Sequence, residues 1–122
     1  MRALIVDDSR FVRGLLRSLL EEIGMQCEEA ADGQEGLDRL AREPRFDVAF
    51  IDWNMPVMNG LDMVRNLRAS GFHDLKVMMV TTEGENGFIL RALEAGADEY
   101  LMKPFDEAAL TEKLAVLGIE VA

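Results

Sequence analysis

The sequence holds a single cysteine, Cys27, so no intrachain disulfide can form, and a reducing compartment fits. His73 is the only histidine, and no His/Cys cluster exists that could hold zinc. Long apolar runs are missing too. The first ten residues, MRALIVDDSR, carry one four-residue apolar run before two acids, too short for a signal peptide or a membrane span. A cytoplasmic domain is the expectation, with no membrane partner. Cations are scarce: 13 Lys and Arg stand against 23 Asp and Glu, a formal charge of −10. Binding a nucleic-acid backbone needs clustered Lys and Arg, so nucleic acid is not an expected partner. There is no Pro/Ser-rich linker, no repeat and no low-complexity segment. What remains is ample for a core. The 122 residues, 49% hydrophobic and 30% charged, suit one compact domain spanning 1–122.

Five short apolar runs, at 3–6, 25–30, 48–51, 77–80 and 100–102, alternate with segments of helical spacing. The second run is the weakest, because Glu28 and Glu29 interrupt it. Phe11, Val12, Leu15, Leu16, Leu19, Leu20 and Ile23 trace the first helix. Leu37 and Leu40 mark the second, and Leu61, Val64 and Leu67 the third. Phe88, Ile89 and Leu93 mark the fourth, and Leu110, Leu114 and Leu117 the fifth. Gly24, Gly71 and Gly96 follow helical stretches, where a left-handed residue closes a helix at little cost. Asp32 is an N-cap candidate with Glu35 three residues on. Five strand-then-helix units with nearly unbroken apolar strands predict a parallel sheet covered on both faces.

Ligands of such a fold bind at the C-terminal ends of the strands. The first strand ends at Asp7 and Asp8, the third at Asp52, the fourth at Thr81 and Thr82, and the fifth at Lys103 before Pro104. If these strands are neighbours, one edge gathers three carboxylates, a hydroxyl and an amine. Two like charges about 4 Å apart repel by on the order of 4 kcal/mol at a surface-like dielectric. A divalent cation removes that repulsion. An open, all-oxygen set suits Mg²⁺, with Mn²⁺ as a substitute. A carboxylate can also act as a nucleophile and form an aspartyl phosphate. Phosphoryl transfer asks chiefly for in-line positioning and for cations near the equatorial oxygens. Asp52, alone on the middle strand, is the candidate nucleophile. Asp7 and Asp8 are candidates to hold the ion, and Lys103 and Thr81 to meet phosphoryl oxygens. Each residue alone has a plainer explanation: a solvated turn for Asp7 and Asp8, a loop cap for Asp52, a surface charge for Lys103. Their joint placement at four strand ends is what argues for a site.

Val6-Asp7-Asp8, Ile51-Asp52-Trp53-Asn54-Met55-Pro56, Val80-Thr81 and Lys103-Pro104-Phe105 together resemble the receiver domain of two-component response regulators. The single-domain, CheY-like chemotaxis regulators are the nearest in kind, and the resemblance covers essentially the whole chain. It implies a flavodoxin-like, doubly wound α/β fold, a five-stranded parallel sheet in the order 2-1-3-4-5 with five helices. It implies that Asp52 accepts a phosphoryl group from a histidine kinase. Asp8, Asp52 and the Asn54 carbonyl would ligate Mg²⁺, Asp7 acting through water, and Thr81 and Lys103 would bind the phosphoryl oxygens. The Lys103–Pro104 bond would be cis. Thr81 and Tyr100 would form the switch. Helix four, strand five and helix five would present the output face to a flagellar motor switch protein or another protein target. Asn54, Thr82 and Glu83 occupy positions that would tune phosphate lifetime, with a phosphatase as a further partner. A monomer that dephosphorylates itself but is otherwise no enzyme is expected. Departures from the usual pattern are Asn59, where many receivers carry an acid, and the bulk of Thr82. Gly84 and Gly87 lower helix propensity by about 1 kcal/mol each at the fourth helix.

Other functions stay in view. A stand-alone receiver also serves as a phosphate sink or phosphorelay intermediate. A haloacid-dehalogenase-type phosphatase also uses an aspartyl phosphate and Mg²⁺, but it needs an acid two residues after the nucleophile. Here Asn54 follows Asp52 at that spacing, and Ser9 follows Asp7. A flavodoxin-like cofactor carrier needs a hydroxyl-rich phosphate loop after strand one, where Asp7 and Asp8 would repel phosphate. Trp53 reads as a partly exposed loop residue, and, with Met78, Met79 and Met102 in strands, most of the methionines read as core.

Overall fold

A computed structural model describes residues 1–43, 45–82 and 86–119. Strands and helices alternate: β1 (Arg2–Val6), α1 (Arg10–Glu22), β2 (Gln26–Ala30), α2 (Gly33–Arg42), β3 (Val48–Asp52), α3 (Gly60–Ala69), β4 (Lys76–Thr81), α4 (Asn86–Ala95), β5 (Glu99–Met102) and α5 (Glu107–Val116). All strand pairs are parallel, in the order β2-β1-β3-β4-β5. This is the expected doubly wound sheet, with strand ends shifted by a residue or so.

β3 is buried along its whole length, as a middle strand covered on both faces must be. Side chains alternate between two apolar layers. Leu4, Val6, Ala49, Ile51, Val77 and Met79 join Leu61, Val64, Leu67 and Ala92 on the α2–α4 side. Ala3, Ile5, Val48, Phe50, Met78 and Val80 join Leu16, Leu20, Leu110 and Leu114 on the α1/α5 side. Burying each such large side chain contributes about 1.5–3 kcal/mol. The polar β2 is an edge strand. Its Glu29 pairs with Arg13 and Arg17 of α1 at 3.1 and 2.8 Å, and its Glu28 with Arg39 of α2 at 3.2 Å. An edge strand tolerates the two acids because the helices on either side supply arginines.

Ser9, Asp32, Asn59 and Asp106 cap four helices, each side chain accepting the N–H three residues on. Each cap is worth about 1 kcal/mol. Asn59 thus does, as an amide, the capping that an acid would do. Gly24, Gly71 and Gly96 all have positive φ, as expected of helix-closing residues. Met78 and Met79 are core, but Met102 is not: it is 37% exposed on the short outer strand β5. Trp53 is also not the half-exposed loop residue expected; it is 7% exposed within the α2–α4 layer.

Candidate phosphoacceptor and metal site

The parallel sheet carries β1, β3, β4 and β5 to one edge in register. Asp52 pairs with Val80, and Thr81 with Met102, so the strands end at nearly one level. One oxygen from each of Asp7, Asp8 and Asp52 lies within 4.8 Å of the others. Asp7 and Asp52 are 1% and 5% exposed, whereas Asp8 faces solvent. Lys103 reaches back over the edge. Its Nζ donates to Asp52 Oδ1 at 2.9 Å and to Asp7 Oδ2 at 3.1 Å. The Lys103 N–H donates to the Thr81 carbonyl at 2.8 Å, and the following Lys103–Pro104 bond is cis.

The acids are held by their own backbone surroundings. Asp7 Oδ1 accepts the Ser9 N–H at 2.8 Å, and the Asp7 carbonyl accepts Arg13 Nη1 at 2.6 Å. The Asp7 N–H donates to Ala30 of β2 at 3.1 Å. Behind Asp52, α3 starts at very close range. A Cβ at Gly60 would fall 2.3 Å from the Asp52 carbonyl oxygen, so only glycine fits there. The Gly60 N–H donates to the Trp53 carbonyl at 2.9 Å, closing the loop. Val57, at the loop's tip, is 85% exposed with φ +70. That region is costly for a β-branched residue.

Charge does not balance at this edge. Burial pushes the Asp52 carboxyl above its ordinary pKa; the Lys103 hydrogen bond pulls it down, and the charges of Asp7 and Asp8 push it up. For Lys103, burial acts to lower the pKa, but the hydrogen bond to Asp52 and the charges of Asp52 and Asp7 hold it above the usual lysine value. Three carboxylates therefore converge where, among the described residues, one ammonium pairs with two of them. Surplus carboxylate oxygen at an open rim is the donor chemistry a hard divalent cation requires.

The structure thus brings Asp7, Asp8, Asp52 and Lys103 together and sets Thr81 beside them at the end of β4. Thr81 is buried, Thr82 and Asn54 are exposed, and Asn54 lies in the loop just beyond Asp52. Glu83 and Gly84 lie outside the described residues, while Gly87 is inside α4. Tyr100 is partly buried against the α2–α4 layer, with Lys113 Nζ 3.9 Å from its ring centre. Ser9 and Arg13, which hold Asp7, carry no motif of their own. Arg13 was legible only as a cation near the start of α1.

Residues 3–115 match the response regulator receiver domain family. The chain is 40% identical over 119 residues to the chemotaxis protein CheY1 of Helicobacter pylori, covering 96% of each chain. It is 41% identical to a CheY homolog of Campylobacter jejuni, covering 97% of this chain and 93% of that one. CheY4 of Vibrio cholerae superposes with a TM-score of 0.89 at 35% identity, over 95% of this chain and 97% of that one. CheY of Borrelia burgdorferi, in its complex with CheX, BeF3 and Mg²⁺, superposes with a TM-score of 0.90 at 26% identity, over 98% and 90%. No helix among the described residues is long and apolar enough to cross a membrane. An acid pocket built at the strand ends of this fold, on a chain so closely matched, makes the protein a member of the response regulator receiver domains, of the CheY-like chemotaxis kind.

Proposed function

We propose that this chain, a single receiver domain over its whole length, is a phosphorylation-driven signalling switch with Asp52 as phosphoacceptor. The observation that carries the reading is the convergence of Asp7, Asp8 and Asp52 within 4.8 Å, with Lys103 bonded to two of them. Asp8, Asp52 and the Asn54 carbonyl would hold Mg²⁺, or Mn²⁺ in its place, with Asp7 behind them. When bound, the ion neutralises the surplus carboxylate charge and draws negative phosphoryl oxygens to the site. An Asp52 oxygen attacks phosphorus of an N-phosphorylated histidine on a kinase. The P–N bond breaks, and the imidazole leaves with the electron pair and takes a proton from water. Lys103 then has a phosphoryl oxygen to pair with in place of a carboxylate, and Thr81 can donate to another. Asn54, Thr82 and Glu83 would set how fast water removes the phosphate.

The output is a population shift in α4, β5 and α5, with Thr81 and Tyr100 as the moving pair. The chemotaxis relatives named above support a protein target in chemotaxis, and the CheX complex of one of them supports a further protein partner; a flagellar motor switch protein and a phosphatase are the partners the resemblance implies. Incubation with Mg²⁺ and acetyl phosphate, followed by intact mass, tests the chemistry. Wild type gains one base-labile phosphate, and Asp52→Asn gains none. A wild type that stays unmodified, or a variant modified equally well, overturns the assignment.

A further inference from the structure

Trp53 follows Asp52 directly and is the only tryptophan in the chain. Its backbone is fixed on both sides. The N–H donates to the Val80 carbonyl at 3.0 Å, and the carbonyl accepts the Gly60 N–H at 2.9 Å. Its indole meets Phe88 of α4 edge-on, with ring centres 5.4 Å apart and planes at 73°. Arg91, one turn further along α4, lies 5.8 Å from the ring centres of both Trp53 and Phe88. Residues three apart share a helix face, so Phe88 and Arg91 grip the indole together.

α4 rests on α3 and β5 mainly through half-buried side chains. Among its described side chains only Ala92 is buried; Leu90, Arg91, Leu93 and Glu94 are exposed. A helix with so few buried apolar contacts sits at the low-stability end of a domain. Its Phe88 is held by an indole one peptide bond away from the phosphoacceptor. A change in charge at Asp52 that displaces residues 52–53 tilts the indole against Phe88. The Arg91 guanidinium, attracted to both ring faces, follows.

We propose that the Trp53–Phe88–Arg91 stack couples the acid pocket directly to α4, with Phe88 and Arg91 as positioning residues acting through Trp53. The link runs in parallel with Thr81 and Tyr100 and rests on the switch reading given above. Coupling of this kind is reciprocal. An exposed Arg91 is also open to capture by a carboxylate of a partner on α4, which would loosen the stack and feed back on Asp52.

Two arms test the link on the full chain. In the first, hydrogen exchange of α4 is followed with and without Mg²⁺ and acetyl phosphate, and phosphate occupancy is read by mass. A response of about fivefold or more in wild type falls below about twofold in Phe88→Ala and in Arg91→Ala, persists in Tyr100→Ala, and returns in Phe88→Tyr. In the second, Mg²⁺ alone is titrated by calorimetry, and its affinity shifts by about fivefold or more in Phe88→Ala and Arg91→Ala. Arg91→Ala changes an exposed side chain, so misfolding does not confound it. A wild-type α4 response in phosphorylated Phe88→Ala, or unchanged Mg²⁺ affinity in both variants, overturns the coupling. A wild type that takes up no phosphate sinks the phosphorylation reading instead, and the Mg²⁺ arm then decides the coupling alone.

Discussion

The two ends of the sheet treat acidic charge in opposite ways. At the N-terminal end Asp98, Asp47 and Glu43 each have donors. Asp98 Oδ2 accepts the Val77 N–H at 2.8 Å and Arg68 Nη2 at 3.0 Å. Arg68 also donates to the carbonyls of Gly96, Phe72 and Leu75 at 2.6–3.0 Å. Asp47 accepts the Arg2 N–H at 2.8 Å, and the Arg2 guanidinium lies over Phe46 and pairs with Glu43. At the C-terminal end, among the described residues, three carboxylates converge and one lysine pairs with two of them. The first end is satisfied and serves stability. The second is left short of positive charge, a deficit that a cation and a phosphoryl group can exploit.

The sharpest way to break this contrast is to remove one cation from each end. Lys103→Met leaves Asp7 and Asp52 buried together and lowers stability by about 3 kcal/mol at neutral pH. Arg68→Met strands several carbonyls and costs about 3 kcal/mol as well. Denaturant melts with and without Mg²⁺ separate the two. Mg²⁺ stabilises Lys103→Met more than wild type, but it helps Arg68→Met no more than wild type. Equal rescue at both ends would erase the distinction.

A smaller effect follows from Asp52 itself. Its folded pKa lies above the ordinary carboxylate value, chiefly because it is buried. The folded state therefore holds a proton that the unfolded state has released, and stability falls as pH rises from the ordinary value of 3.8 through the raised one. Asp52→Asn is accordingly more stable than wild type at pH 7 without Mg²⁺, and the gap closes as pH falls toward 3.8. A gap independent of pH in parallel melts would contradict this.

The smallest effect lies at the tip of the same loop. Val57 holds φ +70 with its side chain in solvent. Val57→Gly relieves the left-handed strain, less the extra freedom glycine gives the unfolded chain. The net gain is about 0.5–1 kcal/mol, read as a higher urea midpoint.

Much of this was legible in the sequence. Strand number and parallel covering followed from five apolar runs between helical spacings, and the candidate site from asking what each strand delivers at its end. The strand order did not follow from periodicity, because short connections leave several orders open; it rested on the family resemblance. Trp53 and Met102 were misjudged for one reason. Burial there depends on which helix lies overhead, and an outer four-residue strand such as β5 leaves its last side chain uncovered. The grip of Phe88 and Arg91 on Trp53 spans residues more than thirty apart, and no local spacing signals such a contact. The same holds for Arg68, whose acceptors are mostly backbone carbonyls that carry no residue signature.

Gly60 leaves the end of β3 no slack. With α3 set against the Asp52 carbonyl at the clearance of a hydrogen atom, that helix serves as an anvil. Any rearrangement at the acid pocket therefore finds no room toward α3. The freedom of the acid pocket is thus limited in part by a side chain that is not there.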